Sequence, residues 1–204
     1  MNKQTKIIGT LLGAALAAAS GVALAESTYG YSAAGTGAVS ANASVNLRVA
    51  VPKLILLRVG SQAAVDEITW TNTRSWSTSP TTLVDGNNQA ANWDGVAPSL
   101  SITSTTNALA VYAWHNGGAA GATLTFTSTA FAPTGGPLLS NVAVGASGLN
   151  PPSHPGGTLD AATPVNLITN TLYSGTWTYT LGGTPASWAA GTYSGSVTYT
   201  ATTL

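Results

Sequence analysis

The chain ends on the stretch GTYSGSVTYTATTL (residues 191–204), and this stretch decides the fold class. Its larger side chains recur at every second position, with Ser and Thr between them: Tyr193, Val197, Tyr199 and Ala201, with Gly195 completing the series. Successive side chains of a β-strand point to opposite faces of the sheet. The alternation therefore predicts a strand with one face against a core and the other in solvent.

The same period of two recurs upstream, whereas Glu and Lys, which favour helices, are scarce. The alternating segments are 44–51, 99–104, 108–114, 123–127, 164–169, 175–181 and 192–201, and a nearly continuous apolar run over 53–59 predicts a central strand. Clusters of Gly, Pro and Asn separate these segments and indicate turns. The pattern predicts an all-β fold, an Ig-like antiparallel β-sandwich.

The other end of the chain predicts export. Lys3 and Lys6 precede an uncharged apolar run, and Ala23-Leu24-Ala25 has the small-x-small form that signal peptidase cleaves. A membrane anchor is the alternative, but the run is rich in Ala and Gly and weak for a permanent span. We expect a signal peptide over 1–25, a flexible arm with a candidate strand over 26–52, and a β-sandwich domain over 53–204. No membrane span is expected after cleavage.

Charge and cysteine content narrow the class of protein further. Only 6% of residues are charged, and removal of residues 1–25 leaves four basic and six acidic residues, a net charge of −2. Nucleic-acid binding draws most of its affinity from phosphate neutralisation, so it is not expected here. Because an exported chain without cysteine has no disulfides, its stability must come from its core, a metal or assembly with other chains.

No constellation of residues predicts catalysis. His115 and His154 are the only histidines, they lack metal-type spacing, and we interpret both as solvent-facing turn residues. Asp66 and Glu67 are adjacent, so on a strand they would point to opposite faces and could not share a substrate. We therefore expect no enzyme activity, no catalytic residue, no cofactor and no metal.

One segment offers weak ligand candidates. The oxygen-bearing residues Asp85, Asn87, Asn88 and Asp94 could supply Ca²⁺ ligands, although Asx-turn chemistry explains them more simply. The chain has six tryptophans, and an exposed tryptophan with Asn and Asp beside it could bind a sugar. Asn92, Trp93 and Asp94 form the best candidate for such a carbohydrate site. Core packing is the alternative role for tryptophan.

The C-terminal stretch resembles the subunits of bacterial chaperone–usher pili, in particular spore-coat-protein-U-like and Cys-free colonisation-factor-type fimbrial subunits. Such subunits end in an alternating strand with a glycine fourteen residues from the end, and Gly191 stands there. The resemblance implies that Gly191, Tyr193, Val197 and Tyr199 belong to an assembly strand that pairs with a periplasmic chaperone. Thr203 stands where the family usually has an aromatic residue.

Residues 41–51 fit the same resemblance. In these subunits an N-terminal extension, the donor strand, completes a neighbour's incomplete sandwich, and here the alternating residues are Val45, Leu47, Val49 and Val51. The resemblance implies a structural subunit of a surface fibre or pilus, serving adhesion or biofilm. Its partners would be copies of itself or related subunits, a periplasmic chaperone and an outer-membrane usher. The alternative function is a monomeric secreted or surface-bound β-sandwich binding module.

Overall fold

The computed structural model describes residues 27–75, 83–104 and 107–204. The predicted signal peptide and Trp76 lie outside this described part of the chain. The chain divides into two compact units, with the boundary between Val51 and Pro52.

The described part of the first unit, residues 27–51, folds back on itself and contains no strand. The Thr28 hydroxyl donates to the Asn42 carbonyl oxygen (2.6 Å) and accepts from the Asn42 N–H (2.9 Å). A turn between them is closed by the bond from the Gly35 N–H to the Ser32 carbonyl oxygen, and Gly35 has a φ of 65°, which favours glycine. Residues 43–51 follow this turn and form no strand.

The described part of the second unit holds nine strands. They are β1 (Ile55–Val59), β2 (Trp70–Ser75), β3 (Ser99–Ser104), β4 (Ala108–His115), β5 (Ala122–Ala132), β6 (Val142–Asn150), β7 (Val165–Leu167), β8 (Tyr173–Leu181) and β9 (Ser194–Thr203). Single turns of 3-10 helix occur at Leu139–Asn141 and Pro185–Ser187.

The strands form three antiparallel sheets. One has four strands in the order β1-β4-β8-β6, one has three in the order β7-β5-β9, and β2 and β3 form a separate hairpin. The four-stranded and three-stranded sheets bury their inward faces in one common core. The predicted all-β, antiparallel, sandwich-type architecture is confirmed.

Alternation along the strands builds the core. Inward-facing residues of the central strands are fully buried, among them Val111 and Ala113 of β4, Leu124 of β5, and Trp177 and Tyr179 of β8. The Trp177 indole N–H donates to the Pro152 carbonyl oxygen at 2.9 Å, so its one polar atom is satisfied.

The prediction that residues 53–59 form a central strand is wrong, because β1 lies at an edge and pairs with β4 alone. The run is apolar throughout for a different reason. Ile55, Leu57 and Val59 pack against the core, while Leu56 lies on the opposite face and is exposed. The apolar residues on the inward face of β1 therefore contact the core, and Leu56 on the outward face belongs to an apolar surface patch.

The interpretation of both histidines as solvent-facing turn residues is also wrong. His115 is fully buried, with Nε2 against the Leu167 carbonyl oxygen (3.0 Å) and Nδ1 accepting from the Gly117 N–H (3.1 Å). His154 is 8% exposed and packs among aromatic rings. A neutral imidazole has one N–H donor and one nitrogen acceptor. Its burial therefore costs little free energy when each of them has a hydrogen-bond partner.

Candidate functional site: the open edge of the sandwich

Within the described residues, six strands of the second unit have a ladder partner on one side only: β1, β2, β3, β6, β7 and β9. Of these, β1 and β9 belong to different sheets and lie beside each other. β1 pairs only with β4, and β9 pairs only with β5. The two strands approach to within 8 Å between Cα atoms, yet no ladder joins them. At one end the Lys53 Nζ donates to the Leu204 carbonyl oxygen at 3.2 Å. We call β1, β9 and the gap between them the open edge.

The inward-facing residues of the open edge are only partly covered. Six of them pack against the core while remaining partly exposed: Ile55, Leu57 and Val59 of β1, and Val197, Tyr199 and Ala201 of β9. In the middle of the central strands the equivalent positions are buried, as at Val111, Leu124 and Trp177. The core is therefore less completely covered here than beneath the central strands.

The opposite edge of the four-stranded sheet shows the contrast. There the chain's own loop covers β6: the Val144 N–H donates to the Gly157 carbonyl oxygen (3.1 Å), and the Leu159 N–H donates to the Val142 carbonyl oxygen (3.2 Å). An isolated bridge between Ala143 and Thr158 continues this pairing. The fold protects one edge with its own backbone and leaves the open edge without such cover.

This arrangement has a defined chemical capacity. An edge strand presents backbone N–H and C=O groups that can pair with an added strand. Partly covered apolar side chains beside it offer positions for alternate side chains of that strand, which set its register. The open edge thus offers the backbone groups and side-chain positions that strand addition requires.

The residues predicted for the assembly strand divide into two groups. Val197 and Tyr199 lie in β9 and pack against the core. Gly191 and Tyr193 precede β9, and the Tyr193 hydroxyl donates to the Ala189 carbonyl oxygen at 2.7 Å. Of the four residues, the structure thus places only Val197 and Tyr199 in the hydrogen-bonded part of β9, at the open edge.

The predicted donor residues are all strongly exposed. The exposed fractions are 81% for Val45, 90% for Leu47, 86% for Val49 and 76% for Val51. Four large aliphatic side chains at alternating positions are thus available to another molecule. Exposed apolar clusters of this kind commonly mark interaction sites.

The weak ligand candidates lie in the connection between β2 and β3. Trp93 is 59% exposed, and its indole N–H donates to the Val96 carbonyl oxygen at 2.7 Å. The Asp94 carboxylate accepts from the Val96 N–H at 2.9 Å, an Asx turn. Among the described residues, no group of three or more His, Asp or Glu side chains could hold a metal ion.

Sequence reasoning missed an apolar patch on the outer face of the four-stranded sheet. Leu56 is paired with Trp114, and Arg58 with Tyr112, whose ring lies 4.1 Å from the Arg58 guanidinium carbon. With Leu172 these side chains line a shallow depression of about 290 Å³. Only the cross-strand register brings these residues together, although the apolar residues at both odd and even positions of 54–57 were a visible signal.

Comparison with known proteins finds no match for the chain among family models, curated proteins or solved structures. The described residues contain no helix long and apolar enough to cross a membrane.

Proposed function

We propose that this chain is a structural subunit of a bacterial surface fibre or pilus that polymerises by donor-strand exchange. One observation supports the proposal: an antiparallel sandwich whose core is only partly covered along two neighbouring edge strands, β1 and β9, each with a ladder partner on one side only. A strand added there would cover apolar surface and satisfy edge hydrogen bonds, and burial of apolar area is the main driving force of association.

The first unit supplies a segment of suitable chemistry. Val45 to Val51 carries four exposed aliphatic residues at alternating positions, so in a strand all four would face the core of the acceptor. Seven residues would span about 23 Å as a strand, and the ten residues of β9 are long enough to pair with them. The donor would come from another copy or from a related subunit.

The remaining expectations follow from this proposal. The subunit would have an Ig-like sandwich and be exported through the periplasm after removal of residues 1–25. A periplasmic chaperone would protect the open edge, and an outer-membrane usher would guide assembly at the cell surface. Fibres would serve adhesion or biofilm formation, and no enzyme activity is part of the proposal.

A single charge in the donor segment tests the proposal. Leu47→Asp in the full chain should abolish fibres and SDS-resistant oligomers, because the carboxylate would have to enter the apolar interior of a neighbour. The matched control is Asn46→Asp, which adds the same charge at an adjacent exposed position that would face solvent in the pair. Negative-stain electron microscopy and unheated SDS gels are the measurements.

The two variants separate the possible outcomes. Fibres from wild type and from the Asn46→Asp variant, but not from the Leu47→Asp variant, support donor-strand exchange. Fibres that persist in the Leu47→Asp variant contradict it. Because Leu47 is exposed, its replacement should change the unfolding free energy of the subunit by no more than about 0.5 kcal/mol, so a folding defect would not mimic the result.

A second candidate function is a monomeric secreted or surface-bound binding module that takes carbohydrate. The observation in its favour is Trp93, an exposed indole whose N–H is fixed by the Val96 carbonyl oxygen, beside Asn92 and Asp94. This function would be favoured by a chain that stays monomeric in the assembly experiment and binds glycans on an array. Its tryptophan fluorescence should also change when the bound glycan is added in solution. A blank array would count against it.

A further inference from the structure

The proline-rich connection after β6 is part of the interior. Pro152, His154 and Pro155 are buried, although the segment forms no strand. The His154 ring lies 5.2 Å from the Phe126 ring, 4.9 Å from the Trp177 ring and 5.4 Å from the Tyr199 ring, measured between centroids. A titratable side chain therefore stands in an aromatic cluster that joins β5, β8 and β9.

The hydrogen bonds of this ring determine its tautomer. Nδ1 lies 2.6 Å from the Gly156 carbonyl oxygen, which can only accept, so Nδ1 carries the hydrogen. In the neutral ring Nε2 is then an acceptor, and the Tyr199 hydroxyl at 2.8 Å donates to it. The Tyr179 hydroxyl, 2.9 Å from that of Tyr199, completes the chain by donating to Tyr199.

We infer that His154 is an acid-sensitive switch for β9: the neutral ring holds this strand through Tyr199, and protonation of the ring weakens that hold. The chain of donors runs in one direction, from Tyr179 to Tyr199 to Nε2. A protonated imidazole has a donor at both nitrogens. Nε2 would then donate to Tyr199, and Tyr199 would have to donate to Tyr179.

Reversal leaves a hydrogen without its former acceptor. The Tyr179 side chain is 4% exposed, so its displaced hydroxyl hydrogen would have to find a new partner in the interior. A buried donor without a partner is costly, as is an imidazolium among apolar rings. Opening of β9 relieves both, because it lets Tyr199 move and water reach the ring.

The other groups that face His154 do not titrate in the same range. β8 contributes Tyr179 and Trp177, β9 contributes Tyr199, and β5 contributes Phe126. Burial raises the pKa of both tyrosines above the ordinary value of 10.0, so they stay neutral in acid. Burial also lowers the pKa of His154 below 6.5, an effect partly offset by the bond to Gly156.

The lowered pKa of His154 determines how the stability of the fold changes with pH. The folded state holds the His154 proton more weakly than the unfolded state, whose pKa is 6.5. The stabilisation from the neutral ring is therefore complete above this value and is lost as the pH falls below it, down through the lower folded pKa.

The switch itself depends only on the fold of the second unit. Its consequence for assembly rests on the proposed function: β9 forms one side of the open edge, so acid would loosen the strand that an incoming donor has to pair with. Fibre growth would then be favoured at neutral pH and suppressed in mild acid.

Hydrogen exchange measured by mass spectrometry tests the switch. The full chain carrying Leu47→Asp is used, so that the open edge is not occupied by another copy. Between about pH 8 and about pH 5, after correction for chemical exchange, amides of β9 should lose protection about two- to tenfold, the range expected when one net hydrogen bond is lost. Amides in the middle of β4 serve as the internal reference.

Three variants assign the effect. His154→Gln should remove the pH-dependent change in β9 and Tyr199→Phe should reduce it, whereas His115→Gln, at the other buried histidine, should keep it. Nitrogen NMR of the unsubstituted ring adds a measurement that needs no variant: His154 should be the Nδ1–H tautomer at neutral pH and become protonated in step with the loss of β9 protection.

The switch is overturned by three results: equal protection of β9 relative to β4 at both pH values, a change that survives His154→Gln, or an Nε2–H tautomer in neutral solution. The exchange and NMR measurements are made on the monomeric fraction from gel filtration, so none of these results depends on whether fibres form. Failure of the switch would leave donor-strand exchange standing, and failure of the Leu47→Asp test would leave the switch standing.

Discussion

At the scale of a single residue, Trp177 combines full burial, a hydrogen bond to the loop after β6 and contacts with two other rings. It is fully buried, its indole N–H donates to Pro152, and its ring lies 4.8 Å from that of Tyr199 and 4.9 Å from that of His154 between centroids. The side chain thus fixes the proline-rich loop against β8 and supports β9 from within.

Removal of this side chain should be severe. Trp177→Ala should lower the unfolding free energy by about 3–5 kcal/mol, the range for aromatic truncation in a core. Trp93→Ala, at an exposed site, should change it by no more than about 0.5 kcal/mol. Urea denaturation followed by circular dichroism measures both, and equal effects of the two variants would contradict this account of the core.

The two histidines show the limit of sequence reasoning at this scale. Their neighbours along the chain, Pro and Gly, indicated turns and therefore solvent. What buries His154 is Phe126, Trp177 and Tyr199, and these lie on three strands distant in sequence. No local pattern contains that information.

At the scale of elements, alternation located most strands. The predicted segments 99–104, 108–114 and 175–181 correspond closely to β3, β4 and β8. β2 and β6 were missed because β2 is largely polar and β6 is rich in Gly, Ala and Ser. Residues 44–51, predicted as a strand, form none in the structure, and their role as a donor strand stays a prediction.

The pairing of β6 with β8 depends on Gly175, a position that has no room for a side chain. A Cβ on Gly175 would lie 2.5 Å from the Pro151 Cβ and 2.5 Å from the Ser147 carbonyl oxygen. We expect Gly175→Ala to lower the unfolding free energy by about 1–3 kcal/mol, because neither neighbour can move freely.

Gly145 provides the matched control for that substitution. It lies in β6, opposite Thr178 of β8, and a Cβ there would meet nothing within 4 Å. Gly145→Ala should be neutral or stabilise the fold by up to about 1 kcal/mol, through lower entropy of the unfolded chain. Thermal unfolding compares the two, and a Gly175→Ala variant as stable as wild type would show that the loop packs differently.

At the scale of the whole molecule, the buried tyrosine pair defines an alkaline limit of stability. Burial raises the pKa of Tyr179 and of Tyr199 above 10.0, the ordinary value. The folded state therefore keeps two protons that the unfolded state releases. Stability should be constant just below pH 10.0 with respect to these groups and fall as the pH rises above it.

Alkaline titration checks this expectation. The ultraviolet phenolate signal of Tyr179 and Tyr199 should emerge only together with loss of the circular dichroism of the fold. Tyr199→Phe should reduce the slope of stability against pH in this range, since one of the two protons is gone. Ionisation of all tyrosines before any unfolding would contradict the burial of the pair.

The sequence by itself determined the all-β class, because a period of two in side-chain polarity has only one regular backbone that satisfies it. It also located the alternating segment 45–51 and the strand around Val197 and Tyr199. Tertiary structure alone decided that β1 and β9 lie beside each other as unpaired edges, and that His154 is enclosed with Tyr199. The physical reason is that edges and enclosures arise from strand order, which is set by contacts between residues far apart in the chain.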